Sequence, residues 1–216
     1  MRQLTNEEIR ILEDQSCWAE DWTNIHVSED FKPNYMHRVM LYGEIHIGDF
    51  EKNIEVSRGF FKHTGINNAT LRNVTIGDNC LIENIGNYIN NYTIGDDCYI
   101  SNVSAMETTE GATYGEGNLI SVLNEVGDGN VILFSDLNSQ LAAFMVKHFN
   151  DRALKDQLRR LINEEIARHR SDQAYIGNHV KIVNTREVNN TIVHDDCEIN
   201  GASRLSDCTI LSTPAA

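Results

Sequence analysis

Ile76-Gly77-Asp78-Asn79-Cys80-Leu81 and Ile94-Gly95-Asp96-Asp97-Cys98-Tyr99 are nearly one hexamer written twice, three hexamer lengths apart. Ile82, Tyr88, Ile100 and Met106 keep the six-residue step around them. After a slip of two residues the step resumes at Tyr114, Ile120, Val126 and Ile132, and Val126-Gly127-Asp128-Gly129-Asn130 repeats the Gly-Asp turn. It returns as Ile176-Gly177-Asn178-His179-Val180-Lys181-Ile182 and then at Val193, Ile199, Leu205 and Leu211. A large apolar residue at each sixth position, a turn residue next and a small side chain four on predict a triangular coil. Each side is one short strand, and like corners stack from coil to coil.

A second spacing, apolar-x-Asn, is interleaved at Ile66 to Asn68, Leu71 to Asn73, Ile82 to Asn84, Ile89 to Asn91, Ile100 to Asn102, Ile182 to Asn184 and Val188 to Asn190. Asn tolerates turn conformations, and its amide can bond a stacked Asn. Stacked corners account for a chain with two prolines against two dozen asparagines. The sequons Asn68-Ala69-Thr70, Asn73-Val74-Thr75 and Asn91-Tyr92-Thr93 read as polar corners for the same reason.

Outside the repeat the period changes. Thr5-Asn6-Glu7-Glu8 reads as a capping box with Leu4 and Ile9 as its staple, predicting a helix to about Gln15 that closes one end of the coils together with Trp18 and Trp22. Val39 to Ile47 alternates like a first strand. Between Leu137 and Arg170 the period is 3.6, with Leu141, Phe144, Met145 and His148 on one stripe and Leu154, Leu158, Leu161, Ile162 and Ile166 on another. Asp156 to Arg160 and Glu164 to Arg168 are the expected supporting pairs, and Asn150-Asp151 is the expected break. The expected division is a cap and first strands over 1–62, coils over 63–136, a helical insertion over 137–171 and further coils over 172–216. The repeat is still in step at Leu211, so the chain is expected to continue.

The Ile-Gly-Asp-x-Cys hexamers at 76 and 94, with Val126 and Ile176, resemble the hexapeptide-repeat superfamily. That resemblance implies a mainly β fold, a left-handed parallel β-helix, here with an N-terminal helical cap and an inserted pair of α-helices. The superfamily includes acyl-CoA-dependent acyltransferases and the C-terminal domains of sugar-nucleotide pyrophosphorylases. It usually associates as trimers, so a homo-oligomer, and a homotrimer first, is expected. The whole chain, through Asn84-Ile85-Gly86-Asn87-Tyr88-Ile89-Asn90-Asn91-Tyr92 and the helical insertion, also looks like the N-terminal part of a large bacterial family of unknown function. Fold likeness does not carry chemistry with it.

His194-Asp195 is the leading catalytic candidate. Ile192-Val193-His194-Asp195-Asp196-Cys197 looks like stretches in which a coil histidine acts as general base on a hydroxyl or amine and a carboxylate holds its tautomer. The structural alternative is that His194 and Asp195 fill the turn positions of Gly77 and Asp78. His179 is a second candidate, in the slot of Asn79 and Asp97, where an exposed structural residue is the competing reading. His148 on its stripe reads as a packed residue. Cys80, Cys98 and Cys197 share the slot that the superfamily geometry turns inward, which makes them buried and unreactive thiols. No Cys-x-x-Cys spacing and no His, Cys or carboxylate set suggests a metal. The stretch from Glu107 to Asn118 lacks the Lys and helix start of a phosphate loop.

The chain has 216 residues, 41% of them hydrophobic, with a mean hydropathy of -0.38, and no apolar run is long enough for a membrane span. No secretory stretch opens it, so a cytoplasmic setting is expected. The net charge of -14, from 32 acids against 18 Lys and Arg, argues against nucleic acid or an anionic membrane as partner. That charge is uneven. Ile66 to Val146 holds ten acids and one base, Arg72, whereas Lys147 to Arg170 holds seven bases against four acids. Acyl-CoA, the cofactor implied by the superfamily, carries a phosphate and a pyrophosphate, and a cation-poor wall suits it badly. If an anionic ligand binds, its expected place is near Arg168, His169, Arg170, Lys181 and Arg186; the alternative, preferred because charge runs are usually solvated or structural, is that the basic helices simply dock on the acidic wall. Two functions follow as expectations: a transferase, acyl or sugar-nucleotide related, acting on a sugar-type substrate with His194 as base, or a non-catalytic scaffold or oligomerisation module of a larger protein.

Overall fold

An apolar residue at every sixth position must find a common interior, and parallel pairing in register supplies one. The computed structural model describes residues 1–121, 130–148 and 150–212. It is mainly β, and its strands stack in three parallel ladders. The first runs through Val27, Ile47, Ile76, Ile94, Ile176, Val193 and Ile210. The second runs through Met36, Ile66, Ile82, Ile100, Ile182 and Ile199. The third joins Ala19, Leu41, Leu71, Ile89, Met106, Val188 and Leu205. The chain visits the ladders in turn, and the side chains named on them pack into one apolar core, fully buried through the middle rungs. Burial of this kind is the dominant favourable term in folding.

Residues at the corners take left-handed backbone conformations, which Asn and Asp accept more readily than other side chains. Asn68, Asn84, Asn102 and Asn184 do so at one corner, and Asn73, Asn91, Asn190 and Asp207 at another. Their amides bond along the stack, as in Asn102 Nδ2 to Asn184 Oδ1 at 2.9 Å and Asn73 Nδ2 to Asn91 Oδ1 at 3.1 Å. The apolar-x-Asn spacing therefore marks real corners.

One expectation is extended and two are corrected. First, residues 1–62 already contribute rungs to all three ladders through Trp18–Ala19, Ile25–Val27 and Met36–Ile47. The hexamer is not visible there because the short 3-10 turns Trp22–Asn24 and Pro33–Tyr35 lengthen the steps from Ala19 to Val27 and from Val27 to Met36, and the hairpin Asn53–Ser57 with Phe60–His63 then separates Ile47 from Ile66.

Second, the stacking does not run through 63–136. It stops at Glu107 and resumes at Ala174, so that Ile94 pairs with Ile176 and Met106 with Val188. Within the excursion Leu119–Ser121 pairs antiparallel with Asn130–Ile132, so Ile120 and Ile132 belong to a hairpin. Val126 and its turn lie outside the described residues. Tyr114 is buried in the core, but as part of a segment that lies against the last strand, where Thr209 Oγ1 donates to the Tyr114 carbonyl at 3.2 Å.

Third, the side chains of the helical region differ in detail. The helices α1 (Asn6–Asp14), α2 (Ser139–Lys147) and α3 (Arg152–His169) form where the patterns place them, α1 with both halves of its capping box. Leu12 of α1 enters the core, Trp22 packs against it in part, and Trp18 lies exposed against Tyr42. Asp151 caps α3 through the Leu154 N–H. The pairs formed are Arg160 with Glu164 and Arg168 with Glu165, not those expected. His148 is exposed, with its ring on Phe144, because it is the C-terminal cap of α2. Phe134, Ile162 and Ile166, with Ile132, Leu137, Leu141 and Met145, make a second small core, so the helices pack on each other and on the hairpin. Among the described residues no helix is long and apolar enough to cross a membrane.

Candidate functional site

The corner that follows the first ladder carries the Gly-Asx turns, and their repetition decides where the candidate histidines lie. The N–H groups of Asp49, Asp78, Asp96 and Asn178 donate to Oδ1 of Asp78, Asp96, Asn178 and Asp195 at 2.7 to 3.0 Å. A Cβ at Gly48, Gly77, Gly95 or Gly177 would come within 2.3 to 2.5 Å of the same oxygens. Glycine is required in that slot by the next rung's cap. His194 occupies the slot one rung on from Gly177, and two residues after Ile210 stands Ser212, not an Asx, so a side chain is accommodated.

His194 is half-buried, and its Nδ1 lies 2.9 Å from the Tyr175 hydroxyl, with the rings edge to face. Burial, then the charges of Asp195 and Cys197, push the Tyr175 hydroxyl above its ordinary range, so the phenol stays protonated. Asp195 does not hold His194 as expected: its Oδ1 accepts the Asn178 N–H, and the partner of His194 Nδ1 is the Tyr175 hydroxyl. The orienting partner is Tyr175, one rung below. Chemically, an imidazole whose Nδ1–H donates to that hydroxyl presents Nε2 as an acceptor, the arrangement a general base needs.

His179 sits at the same corner in the left-handed conformation, exposed, between two carboxylates. Its Nδ1 is 3.2 Å from Asp196 and its Nε2 3.6 Å from Asp97, which also pairs with Lys52. The slot is a charge ladder along the corner. Cys80 and Cys98 are buried and bond the carbonyls of Gly95 and Gly177, each at 3.0 Å, whereas Cys197 is half-buried. Hydrogen bonding to Cys98 and then burial hold the Cys80 thiol well above its ordinary range.

The five expected anion ligands do not converge. Arg168 pairs with Glu165 at 2.7 Å, Lys181 with Glu198 at 3.6 Å and Arg186 with Glu187 at 3.6 Å. Lys181 belongs to the second ladder and Arg186 precedes a strand of the third, while Arg168, His169 and Arg170 end α3. Each cation is used locally, except that Arg170 has no ion pair among the described residues.

Two acidic side chains not singled out in the sequence are buried. Glu116 accepts from the Ser135 N–H at 2.8 Å, from the Ser135 hydroxyl and from His169 Nδ1 at 3.1 Å, while His169 Nε2 faces Glu165 at 3.4 Å. This cluster ties the end of α3 to the excursion's entry. Glu83 accepts from Lys62, from Tyr99 at 3.2 Å and from Ser101 at 3.2 Å, which fastens the hairpin Asn53–His63 to the second ladder. The only local signal for Glu116 is an acid between two glycines, in a stretch that reads as a turn. Among the described residues no group of three or more His, Cys, Asp or Glu is arranged to hold a metal.

A family profile described as a domain of unknown function (DUF4954) matches residues 1–216. No curated protein matches the chain.

Proposed function

For a chain that belongs to the family of unknown function DUF4954, we propose a left-handed parallel β-helix of the hexapeptide type that works as a transferase on a sugar-type acceptor. The observation that carries this reading is the Tyr175 hydroxyl 2.9 Å from Nδ1 of His194. With Nδ1–H donated to Tyr175, Nε2 takes the proton of an acceptor hydroxyl or amine as that atom attacks the donor's electrophilic centre. The same proton then passes to the leaving group. Removal of an acceptor proton serves acyl and sugar-nucleotide donors alike. Of the expected anion ligands, Arg168, Lys181 and Arg186 are paired with carboxylates, which weighs against the pyrophosphate of acyl-CoA and of a nucleotide sugar equally. A homotrimer is part of this reading, and light scattering showing a monomer at high concentration would contradict it.

The test is thiol release from acetyl-CoA, and nucleoside diphosphate release from nucleotide sugars, with a panel of sugar acceptors. Turnover that disappears in His194→Ala while the melting temperature holds supports the reading. No turnover with any donor, or turnover indifferent to His194, removes it.

A second reading, a non-catalytic scaffold, is favoured by the use of Asp195 as a turn cap instead of as a partner of His194. It expects Asp195→Ala to lower the melting temperature and His194→Ala to change nothing.

A further inference from the structure

Where the excursion rejoins the ladders, Asp172 and Gln173 take the corner position that Asn73 and Asn91 hold in the two preceding rungs. Together with Glu44, His46 and Thr75 on the outer side of the first ladder they enclose a cleft of about 350 Å³. That size lies within the range of small-molecule clefts, about 300–1,000 Å³.

The polar groups of the cleft are unevenly committed. Asn73 spends its amide on Asn91, and Asn91 spends its own on the Thr108 carbonyl. Gln173 Nε2 reaches the Asn73 carbonyl at 3.4 Å, and His46 Nε2 faces Glu44 at 2.9 Å. Each of these carboxamides thus spends one of its two N–H donors within the wall. Asp172 Oδ1 accepts from the Gly111 N–H, and the side chains of Asp172, Glu44, Gln173 and Thr75 line the cleft with further acceptor oxygens. No Lys or Arg lines the cleft. His26 stacks on His46 with ring centroids 5.0 Å apart, which holds the imidazole in place.

An acceptor-rich cleft with two carboxylates and no cation repels phosphate and matches a ligand rich in donors. We infer that this cleft binds a monosaccharide-sized polyol without negative charge, an amino sugar above a plain sugar because an ammonium group meets Glu44 and Asp172. The cleft runs along the same face from the rung of His46 to that of Gln173, two residues before Tyr175, so its His46 end stands three rungs, about 14 Å at the usual strand spacing, from Tyr175. It does not require His194 to act as a base, so it stands whether or not the chain is a transferase.

Calorimetric titration of the full chain with glucosamine, glucose and glucose 6-phosphate tests it. Saturable millimolar binding of glucosamine and glucose is expected, with the phosphate ester weaker than glucosamine by about tenfold or more. Gln173→Ala and His46→Ala each weaken glucosamine by about tenfold. Glu44→Gln weakens glucosamine more than glucose, and His194→Ala leaves both affinities as they were. No saturable binding of either sugar, phosphate binding as tight as glucosamine, or affinities indifferent to both His46 and Gln173 would overturn the inference. Loss of binding in His194→Ala with an unchanged melting temperature would overturn it as well, since the ligand would then belong to the other end of the face.

Discussion

Asp195 stands over Gly177: its Oδ1 accepts the Asn178 N–H at 2.7 Å and leaves only 2.3 Å between itself and any Cβ added at 177. The same relation joins Asp96 to Gly77, where the Cβ would also meet the Gly95 carbonyl carbon at 2.7 Å. Backbone on the far side cannot swing away as a flexible side chain can. Gly77→Ala is therefore expected to cost about 2–4 kcal/mol, read as a lowered urea midpoint. His194→Gly, in the slot with no Asx above it, is expected to stay within about 1 kcal/mol.

Asn91 illustrates the corner chemistry. It holds a left-handed backbone, accepts from Asn73 and donates to the Thr108 carbonyl. Asn91→Ala removes both bonds and strains the corner, for an expected loss of about 2–3 kcal/mol. Asn91→Gly removes the bonds without the strain, so it should lose less. Thermal melting of the two variants separates the contributions.

Glu116 links the excursion's entry to the end of α3. Glu116→Ala removes the acceptor of the Ser135 N–H and hydroxyl, and because Ser135 is itself exposed the expected loss is about 0.5–1.5 kcal/mol for each bond. Because the helices have their own small core, the effect should be local. Hydrogen exchange is expected to quicken across α2 and α3 while Ile82, Ile94 and Ile100 keep their protection. Uniform quickening would show that the excursion and the ladders unfold together.

The N-terminal cap gives the chain an acid-sensitive contact. Hydrogen bonding to Arg2 holds the Glu8 carboxyl down to about 2, with the Thr5 bonds assisting and burial opposing. A carboxyl more acidic folded than unfolded contributes stability above its unfolded pKa of about 4.3 and loses it as pH falls through the folded value. Glu8→Gln should therefore reduce stability at pH 7 by about 1 kcal/mol, with the difference from the parent shrinking between about pH 4.5 and 2. Melting curves across that range check it. A difference that grows on acidification would reverse the sign and refute the assignment.

Features written within a dozen neighbouring residues were legible from the chain alone: the six-residue step at Ile76 and Ile94, the Asn corners, the capping box at Thr5 and the two helices around Asp151. Each depends on local backbone preference or on a periodicity that one face of an element imposes, and both are properties of short stretches. Contacts across the excursion were not legible. The step at Ile120 and Ile132 imitated a rung, yet rung-to-rung continuity jumps from Glu107 to Ala174, because pairing in register depends on which strand edge is free and not on how many residues intervene. For the same reason the folded chain gave His194 the hydroxyl of Tyr175 instead of its neighbour Asp195, buried Glu116 against His169, and brought Glu44 beside Gln173. Such juxtapositions are set by the stacking of distant segments, and no local pattern encodes them.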